Sequence, residues 1–244
     1  MAKQQKNERQ AKIDAIRNQQ KGAERRRGLM IVGVCAVIAL LIIGAAAYGP
    51  IKNWWDVRQL RDLDLATIGA PASACQDVQE KDATGSGDHV DPGTEMDYQD
   101  APPAFGPHWS EWDSIDRKFY TEGDRPDPGM LVHNLEHGYT LLWYDDTIAD
   151  DDQAMADLRA IASKFTDDSN LRNKFKIVPW TADDGAAFPD GQHLAFTHWS
   201  IGGDGDPSGD QTGITQYCSE PSGDAVEQFL EDYPYTDSPE PGVM

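Results

Sequence analysis

The sequence predicts an α+β protein: an N-terminal single transmembrane helix followed by an exported domain built on a small mixed sheet. Three observations predict it. An uncharged apolar run, GLMIVGVCAVIALLIIGAAAYG, fills residues 28–49 and is long enough to cross a bilayer as a helix. Period-two and period-3.6 segments then alternate between residues 138 and 235 in the order β-α-β-β-α. Between them lies a loop-rich front, residues 71–130, dense in Pro and Gly and with few periodic windows.

The ends of the chain differ sharply in charge. Residues 1–50 carry nine Lys or Arg against three acids, and the remainder carries twelve against thirty-nine. Residues 1–27 therefore read as a basic cytoplasmic tail resting on anionic lipid. The ERRRG cluster abuts the apolar run, so the positive-inside rule puts the N-terminus in the cytoplasm and everything after residue 49 outside the cell membrane. A cleaved signal peptide is the rival reading, although both the apolar run and the basic tail are long for one. Residues 50–70 read as a juxtamembrane stalk, with Trp54 and Trp55 at the lipid interface. Residues 71–244 form the acidic extracytoplasmic domain. Its charge indicates a strongly hydrated surface and argues against nucleic acid as a partner; the lipid bilayer is the partner the sequence names.

Cysteine usage fits that topology. Cys35 lies inside the apolar run, while Cys75 and Cys218 are the only two outside it. An oxidising exterior favours one Cys75–Cys218 disulfide, with two free thiols serving as soft metal ligands as the rival.

The regular elements follow. GYTLLWYD, residues 138–145, reads as a strand. DDDQAMADLRAIASKF, residues 150–165, reads as a helix whose Met155, Leu158, Ile161, Ala162 and Phe165 share a face and whose Asp run sits at the positive end. KFKIVPWT (174–181) and QHLAFTHWS (192–200) read as strands. SGDAVEQFLEDYPY, residues 222–235, reads as a helix capped by Ser222 or Asp224 and stopped by Pro234. This order also matches half of a thioredoxin-like fold. Redox chemistry does not follow, because the chain has no C-x-x-C.

The chemistry concentrates in LVHNLEHGYTLLWY, residues 131–144. His133, Glu136 and His137 form H-x-x-E-H, a spacing used by one class of zinc peptidases on a long helix. Here Gly138 follows at once and then a strand, leaving room for about one helical turn. No downstream helix offers a carboxylate ligand, so a metallohydrolase is disfavoured. One turn still places His133 and His137 on one side. The Pro-braced segment PPAFGPHW can deliver His108 to them, and His89 is the fourth member of the expected cluster. Zinc or copper suits such a set. Glu136, between the histidines, either holds one ring N–H in support of the ligands or binds metal itself. His193 and His198 lie five apart on one strand, so at most one can join. GGDGDPSGDQTG, residues 202–213, imitates a calcium loop but lacks its closing Glu and reads as an acidic solvated loop.

PPAFGPHW, VHNLEHGYTLLWY and the ending YPYTDSPEPG resemble the largely bacterial family catalogued as domain of unknown function 3105. The resemblance covers about residues 85–240. His89, His108, His133, Glu136 and His137 sit on its pattern, as do Pro102, Pro103, Gly106, Pro107 and Gly138; Ala104 and Phe105 depart from it. It implies a basic N-terminal segment, one membrane span and an exported domain, and it implies no reaction. The reading is a membrane-anchored, non-enzymatic domain with a His-based metal site for copper or zinc handling or for metal-stabilised structure. The alternative is an accessory or scaffolding subunit of a membrane protein complex with structural histidines.

Overall fold

A computed structural model describes residues 29–48, 51, 58, 60, 62–83, 87–203, 206 and 209–242. The basic tail, Lys52, Trp54, Trp55 and Asp204 lie outside the described residues. The apolar run forms one helix, α1 (Leu29–Tyr48), of 20 residues with mean hydropathy 2.9. That length and composition suffice for a membrane span or for a signal sequence. Residues 55–244 form a separate unit.

In that unit the chain runs through β1 (Gln79–Asp82), β2 (His89–Val90), β3 (His108–Trp109), α2 (Pro128–Glu136), β4 (Thr140–Tyr144) and the short α3 (Asp146–Ala149). It continues through α4 (Asp152–Ala162), β5 (Phe175–Pro179), β6 (Leu194–Ser200), β7 (Thr212–Cys218) and α5 (Gly223–Asp232). Five strands form one mixed sheet in the order β1-β7-β6-β4-β5. Within it β4 and β5 run parallel, joined by a helical crossover, and the other neighbouring pairs are antiparallel. β2 and β3 form a separate parallel pair.

The α+β class and the mixed sheet match the sequence reading; the element order needs correction. Strand β7 stands between β6 and α5, giving β-α-β-β-β-α. The acidic-loop reading ran into its first residues, but TGITQYC alternates, and Ile214 and Cys218 are buried. Strand β1 (QEKD) has no apolar residue, and each of its residues is exposed. Backbone pairing to β7 creates it, and its charges suit an edge. The predicted 150–165 helix divides into α4 and a 3-10 turn over Ser163–Phe165. Asp151 caps α4 by accepting from the Gln153 and Ala154 N–H groups. Ser222, not Asp224, caps α5.

Every residue of β4, β5 and β6 is buried, so both faces of the sheet are covered. On one face Leu142, Ile177, Phe196 and Ile214 meet Leu158 and Ile161 of α4 and Val226 and Phe229 of α5. On the other, Leu141, Trp143, Val178 and Trp199 meet Leu131, Val132 and Leu135 of α2. Ile68, from the segment read as stalk, is fully buried in the α4–α5 layer.

Cys75 and Cys218 are joined by the expected disulfide, which excludes them as thiol ligands. It spans 143 residues of sequence; in the chain-entropy account, closing such a loop stabilises the fold by about 5 kcal/mol. Cys35 makes no disulfide.

Candidate metal centre

Helix α2 is longer than the single turn the sequence suggested. Asp127 accepts from the Gly129 N–H and Pro128 occupies the first turn, so the helix begins five residues before His133. His133, Glu136 and His137 then fall on one side by their i, i+3 and i+4 spacing. Gly138 ends the helix at φ 84°, donating to the Leu135 carbonyl, and Tyr139 donates to that of Asn134. This paired closure favours glycine. A Cβ on Gly138 would lie 2.2 Å from the Tyr235 carbonyl oxygen, so only glycine lets the C-terminal segment cross here.

The loop-rich front supplies the other two imidazoles. Pairing of β2 with β3 sets His89 beside His108 in register. Phe105 lies over Gly213 of β7, where a Cβ would come within 2.3 Å of its ring, and this seats segment 102–108 on the sheet. Trp109 lies against Gly129 of α2 in the same way.

The ligating atoms of His89, His108, His133 and Glu136 all lie within 4.8 Å of one another. Glu136 Oε2 is 3.1 Å from His108 Nε2, 3.5 Å from His89 Nε2 and 3.8 Å from His133 Nε2. Donors about 2.0–2.1 Å from a tetrahedral zinc stand roughly 3.3 Å apart, so these separations suit one ion. His108, His133 and Glu136 are buried, whereas the His89 side chain is 42% exposed and opens the cluster to solvent.

Hydrogen bonds at the far side of two rings fix their tautomers. His108 Nδ1 donates to the Gly106 carbonyl at 2.8 Å and His133 Nδ1 to the Trp109 carbonyl at 2.6 Å. A carbonyl only accepts, so in the neutral rings both Nε2 atoms carry lone pairs, and these face the Glu136 side. Burial alone would raise the Glu136 carboxyl, but the hydrogen bond from a protonated His108 and the positive charges of His108, His89 and His133 outweigh it and hold its pKa below the usual value. Burial lowers His133 in turn, against the Trp109 carbonyl that opposes it. The Gly106 and Trp109 carbonyls hold the Nδ1 N–H groups of His108 and His133, and the Glu136 carboxylate stands 3.1 Å from His108 Nε2 on the other side of that ring.

His137 lies beside this set. Its Nε2 is 3.1 Å from His133 Nε2 and 3.4 Å from Glu240 Oε2. Its Nδ1 is buried with no hydrogen-bond partner among the described residues. Burial and the neighbouring His133 push its pKa down to about 4. Trp112 covers both rings, with centroids at 5.2 Å from His133 and 4.8 Å from His137. Glu136, His137 and Glu240 form a second group of ligating atoms within 4.8 Å. A downstream carboxylate therefore does reach the motif, from an irregular segment rather than a helix. The Glu240 N–H donates to the Glu136 carbonyl at 2.9 Å, and Lys174 Nζ ties the carbonyls of His137 and Pro241 together at 2.6 and 2.9 Å. The only sequence signal for Glu240 was an acid in the SPEPG segment of the quoted ending.

Neither histidine near β6 joins. His193 Nδ1 is 2.9 Å from Asp145 Oδ2. His198 is fully buried, with Nε2 donating to the Asp237 carbonyl at 2.7 Å.

No curated protein and no solved structure matches the chain. The family model that does match spans residues 89–244, the stretch that contains His89, His108, His133 and His137 together with Glu136 and Glu240. The chain belongs to the family described as protein of unknown function (DUF3105).

Proposed function

We propose that this protein is a membrane-anchored extracytoplasmic domain that binds a divalent transition metal through His89, His108, His133 and Glu136, with His137 at its edge. One observation carries the reading: the buried His108 Nε2, whose lone pair is fixed by the bond from Nδ1 to Gly106, faces the Glu136 carboxylate at 3.1 Å. Two acceptors so close in a buried site repel unless a cation or a proton lies between them. Three imidazoles around one carboxylate oxygen favour the cation. The donor set is nitrogen and oxygen with no sulfur, which suits Zn(II) or Cu(II) over Cu(I). Copper or zinc handling, or metal-stabilised folding, follows from such a site. The β4-α4-β5 crossover followed by β6, β7 and α5 supports a thioredoxin-like frame beneath it, used without a C-x-x-C.

The test uses full-length, untagged protein in detergent, stripped with chelator and titrated with Zn(II) against a chromophoric competitor. Binding should weaken by about tenfold or more in His108→Ala, His133→Ala and Glu136→Gln, the usual scale for losing a ligand or its support. Wild-type protein that binds no Zn(II) or Cu(II) would leave the cluster a proton-bridged structural network. The anchoring is tested separately. Protease added to wall-free cells should digest the acidic domain and spare the basic tail; a protected domain refutes the assigned orientation.

A further inference from the structure

The second group of ligating atoms shares Glu136 with the first. We infer that the centre holds two ions, the second bound by His137, Glu240 and Glu136, with the Glu136 carboxylate bridging the pair. The inference rests on the metal reading above. The three imidazoles of the first group approach Glu136 at its Oε2, at 3.1, 3.5 and 3.8 Å. A carboxylate so placed can bind one ion through each oxygen, as in paired sites whose ions stand about 3.5–4 Å apart.

His137 supplies the second reason. It is 1% exposed, and its Nε2 stands 3.1 Å from His133 Nε2. His133 donates from Nδ1 to the Trp109 carbonyl, so its Nε2 has only a lone pair to offer. Once that lone pair binds the first ion, it cannot accept a hydrogen bond from His137. The His137 Nε2 is then left facing Glu240 Oε2 at 3.4 Å, a separation that suits two ligands of one ion better than a hydrogen bond.

The two positions differ in access. The first has four donors, of which His108, His133 and Glu136 are buried and only His89 is exposed. The second is completed by Glu240, whose side chain is 51% exposed although its backbone is pinned to the end of α2. The second ion is therefore the weaker and more readily exchanged, held on the solvent side of a tighter one. That asymmetry suits a protein that receives and passes on a metal.

Equilibrium dialysis of the full-length, untagged protein against Zn(II), with metal counted by mass spectrometry, tests this. Wild-type protein should saturate at about two ions per chain and Glu240→Gln at about one, its second ion weakened by roughly tenfold or more. Glu240 is half exposed, so the variant should keep the thermal unfolding midpoint of wild type in chelator. Cu(II) gives an independent readout: a second equivalent should convert the isolated spin signal of wild type into a coupled, broadened one, and should not do so in Glu240→Gln. Saturation of wild type at one ion, or equal stoichiometry in the variant, overturns the second site and leaves the first. No bound ion in either protein overturns both.

Discussion

The two faces of the central sheet are buried by different means. The face under α4 and α5 is closed by an apolar layer in which Leu158, Ile161, Val226 and Phe229 meet alternate residues of the strands. The face under α2 and the long front carries an apolar layer too, but buries His108, His133, Glu136, His137, Lys174 and Lys176 as well. The lysines show how. Lys176 is fully buried and donates to Asp113 Oδ2 at 2.6 Å and to the carbonyls of Ser114 and Arg117 at 2.5 and 2.9 Å. A charge fastens an irregular segment where no periodic apolar stripe is available. The first face needs volume and shape; the second needs each donor matched to its own acceptor.

The largest expected effects separate those two logics. Phe229→Ala and Lys176→Ala should each destabilise by about 3–5 kcal/mol in denaturant unfolding, the first through a cavity and the second by stranding Asp113. Volume-conserving replacements should then part them. Phe229→Leu should recover most of the loss, whereas Lys176→Met should not, because two carbonyls lose their donor and Asp113 loses its cation while keeping the Tyr120 hydroxyl. Equal rescue in both would erase the distinction.

Gly138→Ala should cost about 1–3 kcal/mol, from the left-handed backbone and the approach of the Tyr235 carbonyl. It should also weaken Zn(II) binding, since Glu240 and Lys174 are anchored at that helix end. A variant with unchanged stability and unchanged zinc affinity contradicts the proposed packing.

Acid should act on the polar face first. His137 takes up a proton near pH 6.5 when unfolded but only near 4 when folded. Between those values the unfolded chain binds more protons, so stability falls as pH drops from about 6.5 towards 4. His133 is shifted in the same direction and adds to the slope. In chelator-treated protein, urea midpoints should decline across this window, and His137→Asn should flatten the decline. A wild-type midpoint constant across the window contradicts the predicted burial. The smallest effect belongs to the surface: Lys81→Ala removes an exposed pair with Asp100 and should change stability by less than about 0.5 kcal/mol.

The helical face was legible in the sequence because burial there repeats. Met155, Leu158, Ile161 and Phe165 mark one side of a helix without reference to anything distant. The polar face was legible only as chemistry. HNLEHG and PPAFGPHW announced which residue types would meet, but not which atoms would face each other. The KFKIV stretch alternates as a half-solvated strand would, yet Lys176 is covered by Asp113, Ser114 and Arg117 and Lys174 by His137 and Pro241, an outcome set by segments distant in the chain.

The sequence by itself determined the apolar helix, the asymmetry of charge, the α+β class, the disulfide partners and the set of clustered histidines, because composition, period and pairing of the only two outside cysteines are local or countable. The tertiary structure alone decided the rest. It added β1 and β7 through backbone pairing, oriented the His108 and His133 rings through the Gly106 and Trp109 carbonyls, set the Glu136 carboxylate against His108 Nε2 and brought Glu240 to His137. Each of these is a distance between residues far apart in the chain. Such distances depend on how every intervening segment packs, and no local pattern encodes them.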